Sequence, residues 1–454
     1  MIGNAASPAQ RVLPTSDQVV GNLPWRWRTQ GAIFVIGGLG FMFDAWDVAL
    51  NGFLIPLLSE EWSLRPGQAA WMATSNLIGM ALGAFVWGGI ADRIGRKRAF
   101  TLTLLMFSLF TVAGAASPGI EVFCLFRFLA GVGLGGCIPV DYALVGEFTP
   151  TRQRGRVLTA MDGWWPIGAT LCAVVSASLL VFDNWRLLML VMVLPALLVV
   201  WVRRSVPESP LYLARSGQRD EANKVIGWLV QRTGGSQTEW TLPAAGIKPS
   251  MSLSALTGQL ARLWTFSWRI TLVSWLLFVS VLLTYYAALT WLPKILKSVG
   301  YGDQAAFMVT AGMTGIGILG VIVCAWLVEI VGRKWILGVS AVLSAASLLA
   351  FALMLGNPVA AQISILCFGF FIQVSVPALY TYVSELYPTQ LRGSGFGWAS
   401  AASRLATGIA PLLFAIMWPL FGLTWTFAGT AALVLVAVIA MAVLTRETRA
   451  EQLA

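Results

Sequence analysis

Apolar residues run along this chain in long blocks separated by short polar breaks. A helix crossing the hydrocarbon core of a bilayer needs roughly 20 apolar residues, and it satisfies its own backbone N–H and C=O groups. Twelve such blocks are read, near 31–57, 68–91, 99–117, 121–147, 156–180, 186–203, 268–293, 304–330, 335–355, 359–386, 394–417 and 421–444. The only long polar stretch, about 204–267, divides them six and six. Within it an amphipathic run over 207–231 predicts a short surface helix and no further crossing. The expectation is an all-α membrane protein. It has a six-helix bundle over 1–203, a cytoplasmic linker with short amphipathic helices over 204–267, and a second six-helix bundle over 268–454. No apolar run precedes residue 31, and that run continues through a full span, so no separate leader is expected.

The two halves repeat. GGIADRIGRKR at 88–98 recurs as AWLVEIVGRKW at 325–335, which sets Asp92 on Glu329 and Arg96 on Arg333. Pro139, Tyr142, Glu147, Pro150, Arg154 and Gly155 recur as Pro377, Tyr380, Glu385, Pro388, Arg392 and Gly393, and Gly131 maps to Gly369 by the same step. One offset kept across so many polar, Gly and Pro positions marks two pseudo-symmetric bundles in parallel repeat. A solute site is then expected near the midplane between them. A twelve-helix channel or scaffold gives no reason to duplicate the loop motifs.

Composition narrows the chemistry. The chain is 57% apolar and 11% charged, against about 25% charged in a soluble domain. Histidine is absent, which removes His metal sites, His general bases and Ser-His-Asp triads. The cysteines Cys124, Cys137, Cys172, Cys324 and Cys367 lie inside apolar runs without CxxC spacing and read as small buried hydrophobes. No nucleophile–base set and no metal-ligand cluster appear, so neither an enzyme nor a cofactor is expected. With both termini cytoplasmic, Arg65, Arg186, Lys294 and Lys297 fall outside and Arg127 and Arg404 fall within the membrane. The rest of the 30 basic residues lie inside. The net charge of +10 is therefore a topology signal for a multi-pass membrane protein, and it does not indicate nucleic-acid binding.

Ionisable residues inside spans are functional candidates, because burying a charge in lipid costs several kcal/mol. Asp44 and Asp47 lie three apart in FDAWD of the first span and share a helical face. A pair between one of them and Arg127 of the fourth span makes both charges tolerable, and protonating the Asp breaks it; the alternative is a structural pair without coupling. Arg404 lies well inside the eleventh span, which holds no acid to neutralise it. Its missing partner is either an anionic solute, which a guanidinium grips bidentately, or Asp44 or Asp162 of the other half. Tyr285, Tyr286 and Trp291 of the seventh span, Trp165 of the fifth, Tyr380 of the tenth and Trp46 of the first can hold a flat ring. Gln373 and Asn76 can add hydrogen bonds, or serve only helix packing. At the inner ends, Asp92, Arg96, Glu147 and Arg154, with Glu329, Arg333, Glu385 and Arg392, can form gating ion pairs that break when the carrier opens inward. For the cations, setting topology is the competing role.

GxxxDRxGRK between the second and third spans resembles the loop motif of the major facilitator superfamily. PESPLYL at 207–213 resembles the PESPRxL motif of its sugar-porter branch, and the duplicated ExxPxxxRG segments fit that branch. The branch places an Asp in the first span and an Arg in the fourth, matching Asp47 and Arg127. DAWD is similar to the DGxD motif of aromatic-acid/proton symporters, with Ala45 in place of the Gly. The segment from Ser384 to Pro411 resembles a stretch shared by bacterial niacin transporters, synaptic vesicle glycoprotein 2 and the organic cation/anion transporters. In anion-handling members an Arg of the eleventh span meets the substrate, and Arg404 matches that position. The resemblance implies a monomeric secondary transporter importing a small aromatic or heteroaromatic carboxylate, nicotinate first, with proton coupling. A sugar or organic cation carrier of the same fold, or a non-transporting sensor or channel, is the alternative.

Overall fold

The structure, a computed structural model, describes residues 13–243 and 253–448. The chain ends, whose side of the membrane the sequence predicts, and the middle of the expected linker lie outside the described residues.

Among the described residues eleven helical stretches are long and apolar enough to cross a membrane. They are Trp27–Glu61, Pro66–Ile94, Arg96–Gly114, Ile120–Phe148, Thr151–Phe182, Arg186–Ser205, Trp268–Ser298, Asp303–Ile330, Arg333–Leu353, Pro358–Leu386 and Gln390–Leu444. The last holds two crossings, because at Gly422 the backbone leaves the helix (φ +79°, ψ 164°). Positive φ there is open to Gly at little cost. Twelve spans result, and the sequence pattern separates the last two near the same point.

The linker differs from the single helix expected over 207–231. Gly217, at φ +82°, splits that run into Pro210–Arg215 and Arg219–Thr233, and a further helix follows at Leu253–Phe266.

The repeat in the sequence is a repeat in space. Gly95 (φ +102°) and Gly332 (φ +116°) make equivalent turns before the third and ninth spans. Each turn leaves the next helix with free N–H donors, and each finds a carboxylate after its own half's last span. Glu208 Oε1 accepts from the Lys97 N–H at 3.0 Å. Glu447 accepts from the Arg333 N–H at 2.9 Å and the Lys334 N–H at 3.1 Å. An anion at a helix N-terminus meets both the donors and the dipole. Gly131 and Gly369 mark equivalent helix crossings: a Cβ on either would lie 2.0 Å from a backbone carbonyl, of Asn76 and of Met313 respectively.

The halves close on each other at the end away from the linker. A Cβ on Gly52 would lie 2.6 Å from the Leu289 carbonyl. Phe53 and Phe307 meet at 4.8 Å between ring centroids. Lys297 reaches Glu60 of the other half at 2.7 Å and Asp303 of its own at 2.7 Å. Nearer the middle, Thr170 and Thr314 share a 3.0 Å hydrogen bond. Toward the linker end a cavity separates the halves.

Candidate functional site

The cavity measures about 450 Å³, within the range of small-molecule pockets. The first half lines it with Ala84, Phe85, Pro139 and Tyr142, and the second with Tyr380, Phe396, Trp398, Ser400 and Arg404. Leu256 and Gln259 of the last linker helix also line it. Most of this wall is apolar, and Arg404 is its one charged group. The guanidinium is half-buried and has no ion pair or hydrogen bond among the described residues. It lies within electrostatic reach of Asp44, Tyr286 and Tyr380. Asp162, one partner considered for it, instead accepts a hydrogen bond from the Tyr142 hydroxyl.

Tyr380 also walls a second, smaller void of about 30 Å³. Phe41, Trp165, Tyr285 and Tyr286 surround it, with Gln373 and Asp162 as polar points. The rings meet at angles: Phe41 and Trp165 at 5.3 Å, Trp165 and Tyr286 at 6.0 Å, Tyr285 and Tyr286 at 5.6 Å. The Trp165 indole donates to the Tyr285 hydroxyl at 3.0 Å, across the two halves. Tilted and edge-to-face contacts of this kind are favoured arrangements for aromatic pairs.

The first, third and fourth spans hold a buried charge network, in which Asp47 Oδ2 is left without a hydrogen-bond partner. The Arg127 guanidinium donates to Asp47 Oδ1 at 3.0 Å, to the Asp47 carbonyl at 2.9 Å and to Asn51 Oδ1 at 3.1 Å. Thr111 Oγ1 donates to Asp47 Oδ1 at 2.7 Å. Asp44, although on the same helix, takes no part. Both its carboxyl oxygens are buried without a hydrogen-bond partner, and the same holds for Asp141 of the fourth span.

Several residues read as site candidates are placed elsewhere. Trp291 lines neither cavity. It is wholly buried and stacks on Phe414 at 5.3 Å, because six residues beyond Tyr285 rotate it about 120° to another face of the helix. Asn76 lies inside the Arg127 network, accepting from Asn51 at 3.0 Å and donating to the Arg127 carbonyl at 3.1 Å. Trp46 is buried beside Phe43 and also lines neither cavity.

Among the described residues, charges at the linker end form one cluster per half, and the ion pairs of Arg96 and of Arg333 each stay within one half. Arg96 joins Asp92 at 2.8 Å and Glu147 at 3.0 Å. Arg333 joins Glu329 at 2.9 Å and Glu385 at 3.1 Å. Glu147 therefore pairs with Arg96 and not with Arg154. Beyond the break at Thr149–Pro150, Arg154 turns back to donate to the Thr149 carbonyl at 3.2 Å. Arg392 donates to the Ser384 carbonyl at 3.0 Å. A hydroxyl completes each cluster, Ser209 on Glu147 and Thr448 on Glu385.

Asp141, Glu208 and Glu447 are absent from the sequence reading. The signal for Asp141 was present, since it interrupts the apolar run CIPVDYALVG, and a carboxyl inside a span is itself a flag. Glu447–Thr448 is the spatial counterpart of Glu208–Ser209, but no shared motif surrounds it in the sequence.

Residues 32–454 match the sugar (and other) transporter family. The niacin transporter NiaP of Acinetobacter baylyi is 35% identical, over 83% of this chain and 84% of that protein. The putative niacin/nicotinamide transporter NiaP of Bacillus subtilis is 31% identical, over 85% of this chain and 88% of that one. The 4-hydroxybenzoate transporter PcaK of Pseudomonas aeruginosa is 28% identical, over 92% of both chains. Among solved structures, a partially occluded inward-open form of the xylose transporter XylE from E. coli superposes with a TM-score of 0.76 at 18% identity. That match covers 93% of this chain and 99% of that one, and it shows the fold alone. The chain belongs to the sugar (and other) transporter family of the major facilitator superfamily.

Proposed function

We propose that this transporter imports a small aromatic or heteroaromatic carboxylate, with nicotinate the best single choice, by alternating access in a bacterial inner membrane. The observation that carries the reading is the unpaired Arg404 guanidinium on the wall of an otherwise apolar cavity. A half-buried cation without a protein partner favours an anionic guest, and the guanidinium fork matches a carboxylate. Tyr380 borders both Arg404 and the cage of Trp165, Tyr285 and Tyr286. A ring in the larger cavity beside Tyr380, with its carboxylate on Arg404, makes one coherent pose, and the cage with Gln373 forms the wall behind Tyr380. The relatives named for niacin and 4-hydroxybenzoate transport support the same class. A sugar has no use for a bare cation, and an organic cation is repelled by it.

Proton coupling belongs to this proposal, through Asp44, Asp47 and Arg127. So do the assignment of the inner-end ion clusters to gating and the division of the chain at 203 and 268. A thermal-shift screen of the purified monomer tests the solute class, because a ligand of the folded state raises apparent stability. Nicotinate and benzoate are expected to raise the midpoint, and xylose and tetraethylammonium to leave it unchanged. Stabilisation by xylose alone contradicts the assignment.

A further inference from the structure

Two carboxyl groups lie buried on the first and fourth spans, which pack against each other. Asp44 and Asp141 are both wholly inaccessible, and none of their four carboxyl oxygens has a hydrogen-bond partner. Gly40 makes the room: one turn before Asp44 on the first span, a Cβ there would lie 3.2 Å from Asp141 Oδ2 and 2.6 Å from the ring of Phe100. Asp44 acts electrostatically on Asp141, and Cys137, one turn before Asp141, feels both, together with Asp47.

Their charged and titratable surroundings favour neither carboxylate strongly. On the first span Asp47 is committed to Arg127 of the fourth. Tyr142 beside Asp141 donates its hydroxyl to Asp162 of the fifth span. Phe100 supplies the wall from the third span. Tyr286 and Tyr380, from the seventh and tenth spans, feel Asp44 but hold no hydrogen bond to it. Arg404 of the eleventh attracts Asp44 without forming an ion pair. Two ionised carboxylates in so dry a place repel and lack the donors that each requires. One proton held between them gives one group a donor and the other an acceptor, and removes the repulsion. Among the described residues no group of three or more Cys, Asp or Glu side chains could hold a metal ion.

We propose that Asp44 and Asp141 form a carboxyl pair that binds the transported proton, with Asp141 the member supplied by the fourth span. Arg404 links this site to the solute. While its charge is bare it favours ionised Asp44. An anion bound to it cancels that field, so the pair holds its proton more tightly. Linkage makes the effect reciprocal: a proton on the pair strengthens anion binding. Solute and proton then travel together, which is symport of an acid. This second step rests on the carboxylate reading above; the proton site does not.

The test has two arms on purified full-length protein. In the ligand-free protein, infrared titration reads a protonated-carboxyl C=O band. The band is expected in the wild type and is expected to vanish in both Asp141→Asn and Asp44→Asn, either variant sufficing if the other fails to fold. No such band in the wild type, or the same band in a folded Asp141→Asn protein, overturns the pair. Calorimetry of nicotinate binding in buffers of different ionisation enthalpy then reads protons taken up per ligand. Uptake in the wild type that is abolished by Asp141→Asn is expected. Undiminished uptake in that variant overturns the link. Absence of nicotinate binding removes the solute reading and leaves the infrared result to decide the proton site.

Discussion

The Arg127 guanidinium and the Asp47 carboxylate lie 3.0 Å apart with both side chains wholly buried. A pair this dry is strong only while it is whole, because removing one partner strands the other charge. Arg127→Ala is therefore expected to cost about 3–5 kcal/mol of stability, read as a fall in the thermal midpoint. Adding Asp47→Asn to that variant is expected to recover part of the loss. A double variant less stable than Arg127→Ala contradicts the pairing argument.

Coupling through the same pair is tested in transport. Asp47→Asn unpairs Arg127 on the two spans that also carry Asp44 and Asp141, so uptake by this variant is expected to lose its response to an inward proton gradient. Exchange of labelled for unlabelled solute is expected to persist. Uptake that still rises with the imposed gradient argues against a coupling role for Asp47.

The equivalent helix crossings at Gly131 and Gly369 predict equal sensitivity. An alanine at either position drives a methyl carbon against a backbone carbonyl, of Asn76 or of Met313. The backbone of a packed helix cannot swing aside as a side chain can. Each substitution is expected to destabilise by at least about 1–3 kcal/mol, and Gly131→Ala also to disturb the Asn76 hydrogen bonds under Arg127. Unchanged thermal midpoints contradict the close approach.

Gly52 tests the closed end. Its Cα faces the Leu289 carbonyl of the other half, so Gly52→Ala is expected to disfavour the conformation described here and populate one open at that end. A shift of about 1.4 kcal/mol moves the ratio of two conformers tenfold. Spin labels placed on the ends of the first and seventh spans are expected to report longer distances. An unchanged distance distribution contradicts the assignment.

The pattern of the chain revealed much of this architecture, and for identifiable reasons. Spans are legible because lipid enforces a minimum apolar length, and the repeat is legible because Gly131 and Gly369, or Arg96 and Arg333, meet the same steric and electrostatic need twice. Pairings were less legible. Arg154 is the nearer partner of Glu147 along the chain, yet Glu147 pairs with Arg96, 51 residues away and just past the turn at Gly95. Trp291 shares a motif with Tyr285 and Tyr286 but not a helix face. Asp141 lies in a segment matched as a loop repeat, where a carboxyl without a counterpart at Leu379 is easily passed over. Glu447 caps a helix more than a hundred residues upstream in the chain, a relation that no local pattern encodes.

The solute assignment turns on Arg404. Calorimetric titration of nicotinate into the wild type, Arg404→Lys and Arg404→Ala tests it directly. A hydrogen-bonded charged group contributes about 1.5–3 kcal/mol, so Arg404→Ala is expected to weaken binding roughly tenfold to a hundredfold, with Arg404→Lys in between and the thermal midpoints of the free proteins unchanged. Equal nicotinate affinity in the wild type and in folded Arg404→Ala contradicts the account.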